Sequence, residues 1–181
     1  MLPRVLKNFN LFVDGQGYAG RVQEATLPKL ALNIEEFKLG GLDTPVQIDV
    51  GMDKLESEFT LSEYDPFVIK LFGIADNSSL PIPFRGFQET ISDGQIAFTL
   101  RGGLGDEIEN RVIPVVVYFE GSVIELDFGQ WKSGENALLR IRLALRYYRF
   151  TMDQDELVEI DVDNRVRKIN GMDQIDIGRL F

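Results

Sequence analysis

The sequence predicts a mainly β fold: a small β-barrel or sandwich with one short α-helix and long β-hairpin arms. Three observations lead there. Most segments alternate apolar and polar residues with a period of two. Turn residues recur at short intervals between them. One stretch alone combines a helix cap with a helical apolar face. The chain has 181 residues, so a single domain over 1–181 is expected, burying roughly 70% of its unfolded surface. No linker, repeat or low-complexity tract divides it.

Leu6 to Val13 is the first predicted strand, and Tyr18 to Leu27 the returning one, with Asp14-Gly15-Gln16-Gly17 as the turn. Pro28 interrupts the ladder. Leu30 to Phe37 is extended again, and Val46, Ile48 and Val50 alternate with Gln47 and Asp49. Between them lies Lys38-Leu39-Gly40-Gly41-Leu42-Asp43-Thr44-Pro45, a tip with two glycines and a proline. Residues 30–51 thus form a long hairpin arm, either an ordinary surface hairpin or a device that docks on a neighbouring copy. Leu55, Ser57, Phe59 and Leu61 share one strand face. Asp65-Pro66 then opens the helix, with Asp65 as cap and Pro66 at the first helical position. Val68, Leu71 and Phe72 form its apolar face and Gly73 ends it. Further strands are expected over Leu80–Ile91, Gln95–Arg101, Val112–Glu120 and Val123–Phe128, with a turn at Ser92-Asp93-Gly94. Gly102 to Asn110 and the segment around Trp131 are loops, giving nine or ten strands in all.

Residues 138–170 form a second long hairpin. Leu139, Ile141, Leu143 and Leu145 are apolar at odd positions, whereas Tyr148 and Phe150 are apolar at even ones. A strand cannot exchange faces without an extra residue, so a β-bulge is predicted near Arg146 and Tyr147. A three-residue loop Asp153-Gln154-Asp155 would set Phe150 opposite Val158, Tyr148 opposite Ile160 and Arg149 opposite Glu159, pairing apolar with apolar and charge with counter-charge.

Composition removes several classes of function. The formal net charge is −10, which argues against a general nucleic-acid binder, because phosphate contacts need clustered Lys and Arg. With no cysteine and no histidine, disulfides, thiolate chemistry, Ser-His-Asp triads and the usual zinc sites are excluded. The N-terminal residues carry no apolar stretch of signal-peptide type, and the longest apolar run, Val112 to Phe119, is too short to cross a bilayer. A protein made and folded in a cytoplasm is the expectation.

Motifs need their context. Gly15-Gln16-Gly17-Tyr18-Ala19-Gly20 matches G-x-G-x-x-G. A dinucleotide site requires a helix immediately after it, and Arg21 to Leu27 alternates with a strand period instead. Asp153-Gln154-Asp155 and Asp161-Val162-Asp163 lack the glycine and distal glutamate of a calcium loop. No catalytic, cofactor-binding or metal-binding residue is nominated, and no cofactor is expected. Arg140, Arg142 and Arg146 share a strand face in an acidic chain, as a solvated face or as an interface or channel lining.

Leu157-Val158-Glu159-Ile160-Asp161, followed by Asn164, Lys168, Asn170, Gly171 and Asp173, resembles the C-terminal signature of the major tail tube protein of contractile-tailed bacteriophages; tube proteins of R-type pyocins are similar. Pro3-Arg4, Leu6-Lys7, Asn10-Leu11-Phe12, Thr26-Leu27-Pro28-Lys29-Leu30, Gly40-Gly41 before Pro45-Val46-Gln47-Ile48-Asp49, and Phe84-Arg85-Gly86 agree in order. The resemblance covers nearly the whole chain. It implies a structural subunit without catalytic activity, in rings of six that stack into a hollow tube inside a contractile sheath. Adjacent sheets would join into a continuous inner barrel. The implied partners are further copies, the sheath protein, a tape measure protein, a baseplate or tube initiator, and double-stranded DNA passing without specific binding. The implied location is the virion tail, assembled in a host bacterial cytoplasm; a bacteriocin tube is the near alternative. Inter-subunit contacts are expected at Leu39, Gly40, Gly41, Leu42, Asp43 and Pro45, and at Arg140, Arg142 and Arg146. An acidic wall would let phosphates slide where a basic one would hold them. Two other classes have their own marks: convergent carboxylates in a deep pocket for an enzyme, or a closed apolar cavity for a small-molecule-binding β-barrel.

Overall fold

The computed structural model describes residues 4–38, 40–41, 43–72, 95–106 and 111–175. The strand expected over Leu80–Ile91, the turn Ser92-Asp93-Gly94, the triplet Phe84-Arg85-Gly86, Gly73, and the tip residues Leu39 and Leu42 lie outside them. In chain order the described elements are β1 (Val5–Val13), β2 (Gln16–Gly17), β3 (Val22–Thr26), β4 (Leu32–Phe37), β5 (Val46–Met52), β6 (Glu56–Leu61), α1 (Pro66–Lys70), β7 (Ile96–Asp106), β8 (Arg111–Asp127), β9 (Leu139–Met152), β10 (Asp155–Asp161), β11 (Val166–Ile169) and β12 (Met172–Asp173).

One antiparallel sheet runs β12-β11-β10-β9-β8-β7-β1-β2, and it forks at β9. Residues Leu139 to Ala144 of β9 pair with β6, and Tyr147 to Met152 pair with β10, both on the edge of β9 away from β8. The β-bulge is the fork. Across β8, Glu120 faces Tyr147 but Gly121 faces Leu145, so Arg146 is the extra residue. On the other edge, Leu145 N–H donates to the carbonyl of Leu55 at 2.9 Å, and the carbonyl of Arg146 accepts from Val162 N–H at 2.9 Å. The phase change in the sequence therefore marks where one strand passes from one partner to the next.

Phe150 faces Val158, Tyr148 faces Ile160 and Arg149 faces Glu159, as the pairing argument requires. The loop differs from expectation. It has two residues, Asp153 and Gln154, at φ 51° and 74°, a primed turn that suits the twist of a hairpin. A second bulge at Leu157 restores the register, and the carbonyl of Leu157 accepts from Asn170 N–H at 2.8 Å.

Other boundaries also moved. The chain after β2 returns along β1 only as far as Tyr18, whose N–H donates to the carbonyl of Leu11 at 2.8 Å; β3 then pairs with β6. The expected strands 112–120 and 123–128 are one strand of 17 residues, because Gly121 is a bulge partner and not a turn. Gly102 to Asp106 extends β7 instead of forming loop. Asp65 caps α1, its carboxylate accepting from Phe67 N–H at 2.8 Å and Val68 N–H at 3.2 Å, with Pro66 in the first turn. Val68 and Leu71 are buried, but Phe72 is exposed, forming an isolated bridge with Val123 beyond the helix end.

The core lies between the two arms of the fork. Phe98 stacks on Phe119 with centroids 5.5 Å apart, and Phe59 of β6 meets Phe98 at 5.8 Å. Leu11, Val13, Leu61, Ile141 and Leu143 complete the layer, with α1 covering it through Val68. Among the described residues the layers do not close into a barrel. Neither the outer edge of β1 over Val5–Asn10 nor that of β3 pairs with another strand among the described residues.

Candidate self-assembly surfaces

The arm stands apart from the main sheet as its own two-stranded ribbon. Phe37 pairs with Val46, and Glu35 with Ile48, on one face; Glu36 pairs with Gln47, and Ile34 with Asp49, on the other. Side chains alternate across a strand, so each face carries apolar groups. Leu32, Ile34, Phe37, Val46, Ile48 and Val50 are all exposed. An isolated two-stranded ribbon is marginal in water, so this one depends on its root.

There Arg167 Nη2 of β11 donates to Asp49 Oδ2 at 2.5 Å, and Gly51 N–H donates to Asp49 Oδ1 at 2.9 Å. The Arg167 bond, reinforced by the Gly51 amide, holds the Asp49 carboxyl below the usual carboxylate range. Asp53 N–H donates to the carbonyl of Ala31 at 2.9 Å, and Met52 packs against the core. At the far end, Gly40, Gly41, Asp43 and Pro45 form the expected tip, with Gly41 at φ 97°.

Each of the three arginines already meets a carboxylate of its own chain. Arg140 lies 3.8 Å from Asp127, Arg142 pairs with Glu125, and Arg146 lies 3.7 Å from Asp163. All three are exposed, so the row is a set of compensated surface pairs.

A second charged row was only half visible in the sequence. Tyr118, Arg149, Glu159 and Lys168 occupy one line across β8, β9, β10 and β11. Lys168 Nζ donates to Glu159 Oε2 at 2.7 Å, Tyr147 donates its hydroxyl to Glu159 Oε1 at 2.9 Å, and the Arg149 guanidinium lies 5.4 Å from the Tyr118 ring centre. Lys168 first, then Tyr147, keep Glu159 below its ordinary pKa. Burial, then the Glu159 bond, push Tyr147 up to about 12. Sequence pairing located Arg149 against Glu159; the outer two members follow only from which strands are neighbours.

Residues carrying metal-like or nucleotide-like patterns have local work. Asp161 accepts from Asn164 N–H at 2.9 Å and from its side-chain amide at 2.7 Å, which is turn chemistry. Asp14 and Gly15, at φ 47° and 78°, make the hairpin turn from β1 to β2, and the next element is strand β3, where a dinucleotide site would need a helix.

Comparison with known proteins agrees with this architecture. Residues 3–180 match the family phage tail tube protein FII. The tail tube protein of Escherichia phage P2 is 32% identical over 178 residues, covering 97% of this chain and 94% of that protein. The major tail tube protein of Serratia phage KSP20 is 27% identical over 172 residues, covering 94% and 90%. A chain from the sheath-tube complex of the PVC extracellular contractile injection system has a TM-score of 0.55 at 10% identity, covering 83% of this chain and 90% of that one. A chain from the anti-feeding prophage tube-terminating cap has a TM-score of 0.54 at 11% identity, covering 84% and 91%. An unclosed β-sheet with a projecting ribbon, matched from end to end by structural proteins of tails, places the function: the chain belongs to the phage tail tube protein FII family, and it is a structural tail tube protein and not an enzyme.

Proposed function

We propose that the chain assembles with further copies into rings of six, stacked as the inner tube of a contractile tail or tail-like particle. The observation that carries this reading is the arm. Six large apolar side chains (Leu32, Ile34, Phe37, Val46, Ile48 and Val50) stand exposed on a ribbon that no other strand covers among the described residues. Contiguous exposed apolar surface of this kind is a mark of protein contact. The outer edge of β1 over Val5–Asn10, which no other strand covers among the described residues, adds a row of backbone groups for a sister sheet. Both contacts are head-to-tail, which closes rings in one direction and stacks without limit in the other.

Within the reading, Leu39, Gly40, Gly41, Leu42, Asp43 and Pro45 touch the neighbouring ring. Arg140, Arg142 and Arg146 form a polar rim that can exchange intrachain for interchain carboxylates. The sheath, a tape measure protein and the baseplate or tube initiator are the outer partners, and double-stranded DNA passes through an acidic lumen unbound. The particle would be built in a bacterial cytoplasm. One chain of similar fold comes from an extracellular contractile injection system and another from the anti-feeding prophage tube-terminating cap, which supports, as the second reading, a tube that punctures instead of conducting DNA.

Negative-stain microscopy of concentrated protein tests the proposal. Rings or tubes are expected, and deletion of 40–45 is expected to leave the fold intact while shortening or abolishing tubes. A wild-type chain that stays monomeric at every concentration, with and without a baseplate seed, would sink it. An inner surface with net positive potential would remove the conduit account.

A further inference from the structure

We propose that the acceptor for the arm is a groove at the arm's own root on the next copy. This deepens the self-assembly reading and rests on it. The groove holds about 960 Å³ between the arm root, the β9 bulge and the turn joining β10 to β11. Its floor is Leu55, Leu145 and Ile160; its walls include Val162 and Val166; Arg165 stands at the β10–β11 turn. Leu145 and Ile160 are already buried, but Val162 is exposed.

The arm face with Phe37, Val46 and Ile48 is the complement. It is apolar, two strands wide, and carries a single charge, Glu35. Glu35 has no ion pair among the described residues, and neither has Arg165, which is held at φ 55° in the turn. Seating the face on the groove brings carboxylate to guanidinium and buries three apolar side chains at once. Two arms packed face to face would instead set Glu35 against Glu35, and a two-fold pair could not propagate. A ribbon entering a groove elsewhere on an identical molecule is the open-ended geometry that a stack requires.

Cysteine chemistry gives a clean test, because the chain has no cysteine of its own. Chains carrying only Phe37→Cys and chains carrying only Val162→Cys are mixed at high concentration and treated with a thiol oxidant. Both positions are exposed, so the fold is expected to survive, which thermal melting checks. A mixed Phe37–Val162 disulfide is expected. Homodisulfides alone overturn the groove and point to arm-on-arm packing. Mixed disulfide without tubes supports the contact and removes the tube reading; tubes without mixed disulfide do the reverse; neither outcome removes both.

Charge exchange is the second arm of the test. Arg165→Glu and Glu35→Arg should each raise the critical concentration for assembly several-fold, roughly 3–10-fold. The double exchange should return it to within about twofold of wild type. Additive loss in the double variant overturns the pairing.

Discussion

Arg167 and Asp49, 118 positions apart in the chain, meet at 2.5 Å and join the root of the arm to β11. Arg167 lies on the same face as Tyr148 and Ile160, at the end of a core row, and is mostly covered. It is therefore a sheltered cation at the root of the ribbon.

Asp49→Asn is expected to loosen the arm without unfolding the sheet. Hydrogen exchange over 46–52 should accelerate while exchange in β8 and β9 stays unchanged. Because the Asp49 pKa is lowered in the folded chain, the pair is complete above the ordinary carboxylate range and is lost as pH falls through the lower folded value. Wild-type arm exchange should thus approach that of the variant only in acid. Equal exchange at neutral pH would show that the pair does not hold the arm.

Gly121→Ala should be among the most damaging small substitutions. A Cβ at this position would lie 2.3 Å from the carbonyl oxygen of Ala144, a backbone atom in the partner strand beside the bulge. The strand cannot move away without opening the fork. A loss of about 2–4 kcal/mol is expected, read from urea unfolding. A loss under 0.5 kcal/mol would mean that the bulge can migrate.

Phe98→Ala removes the ring that touches both Phe119 and Phe59 across the layers. The site is fully buried, so the cost should be about 3–5 kcal/mol, with a fall in Tm of the order of 10 °C for a chain of this size. Near-wild-type melting would place the main core elsewhere.

These residues show what a sequence can and cannot reveal here. The bulge at Arg146, the β9–β10 register and the Asp65 cap were legible because each is set by neighbours in sequence and by the alternation of apolar groups. The continuity of β8 through Gly121-Ser122 was not, since a glycine opposite a bulge looks like a turn glycine until its partner strand is known. The fork at β9 was hidden for the same reason: one strand serving two partners leaves no local mark. On the assembly surface, the exposed arm could be drawn from its hairpin pattern. The Arg167–Asp49 latch and the Arg165 groove depend on which strands return to the arm root, and no spacing encodes that.

Glu159 offers a pH test of the second charged row. Its folded pKa is depressed, first by Lys168 and then by Tyr147. Its stabilising contribution is therefore full above the unfolded value of about 4.3 and is lost as pH falls through the lower folded value. Lys168 is raised by the same partner, so its share persists at neutral pH and disappears only in strong alkali. Glu159→Gln should lower the urea midpoint at pH 6–7, with the gap to wild type closing steadily on acidification, as the wild-type carboxylate takes up its proton. An unchanged gap down to the acid-unfolding limit would show that the loss comes from side-chain packing in β10, with no contribution from charge.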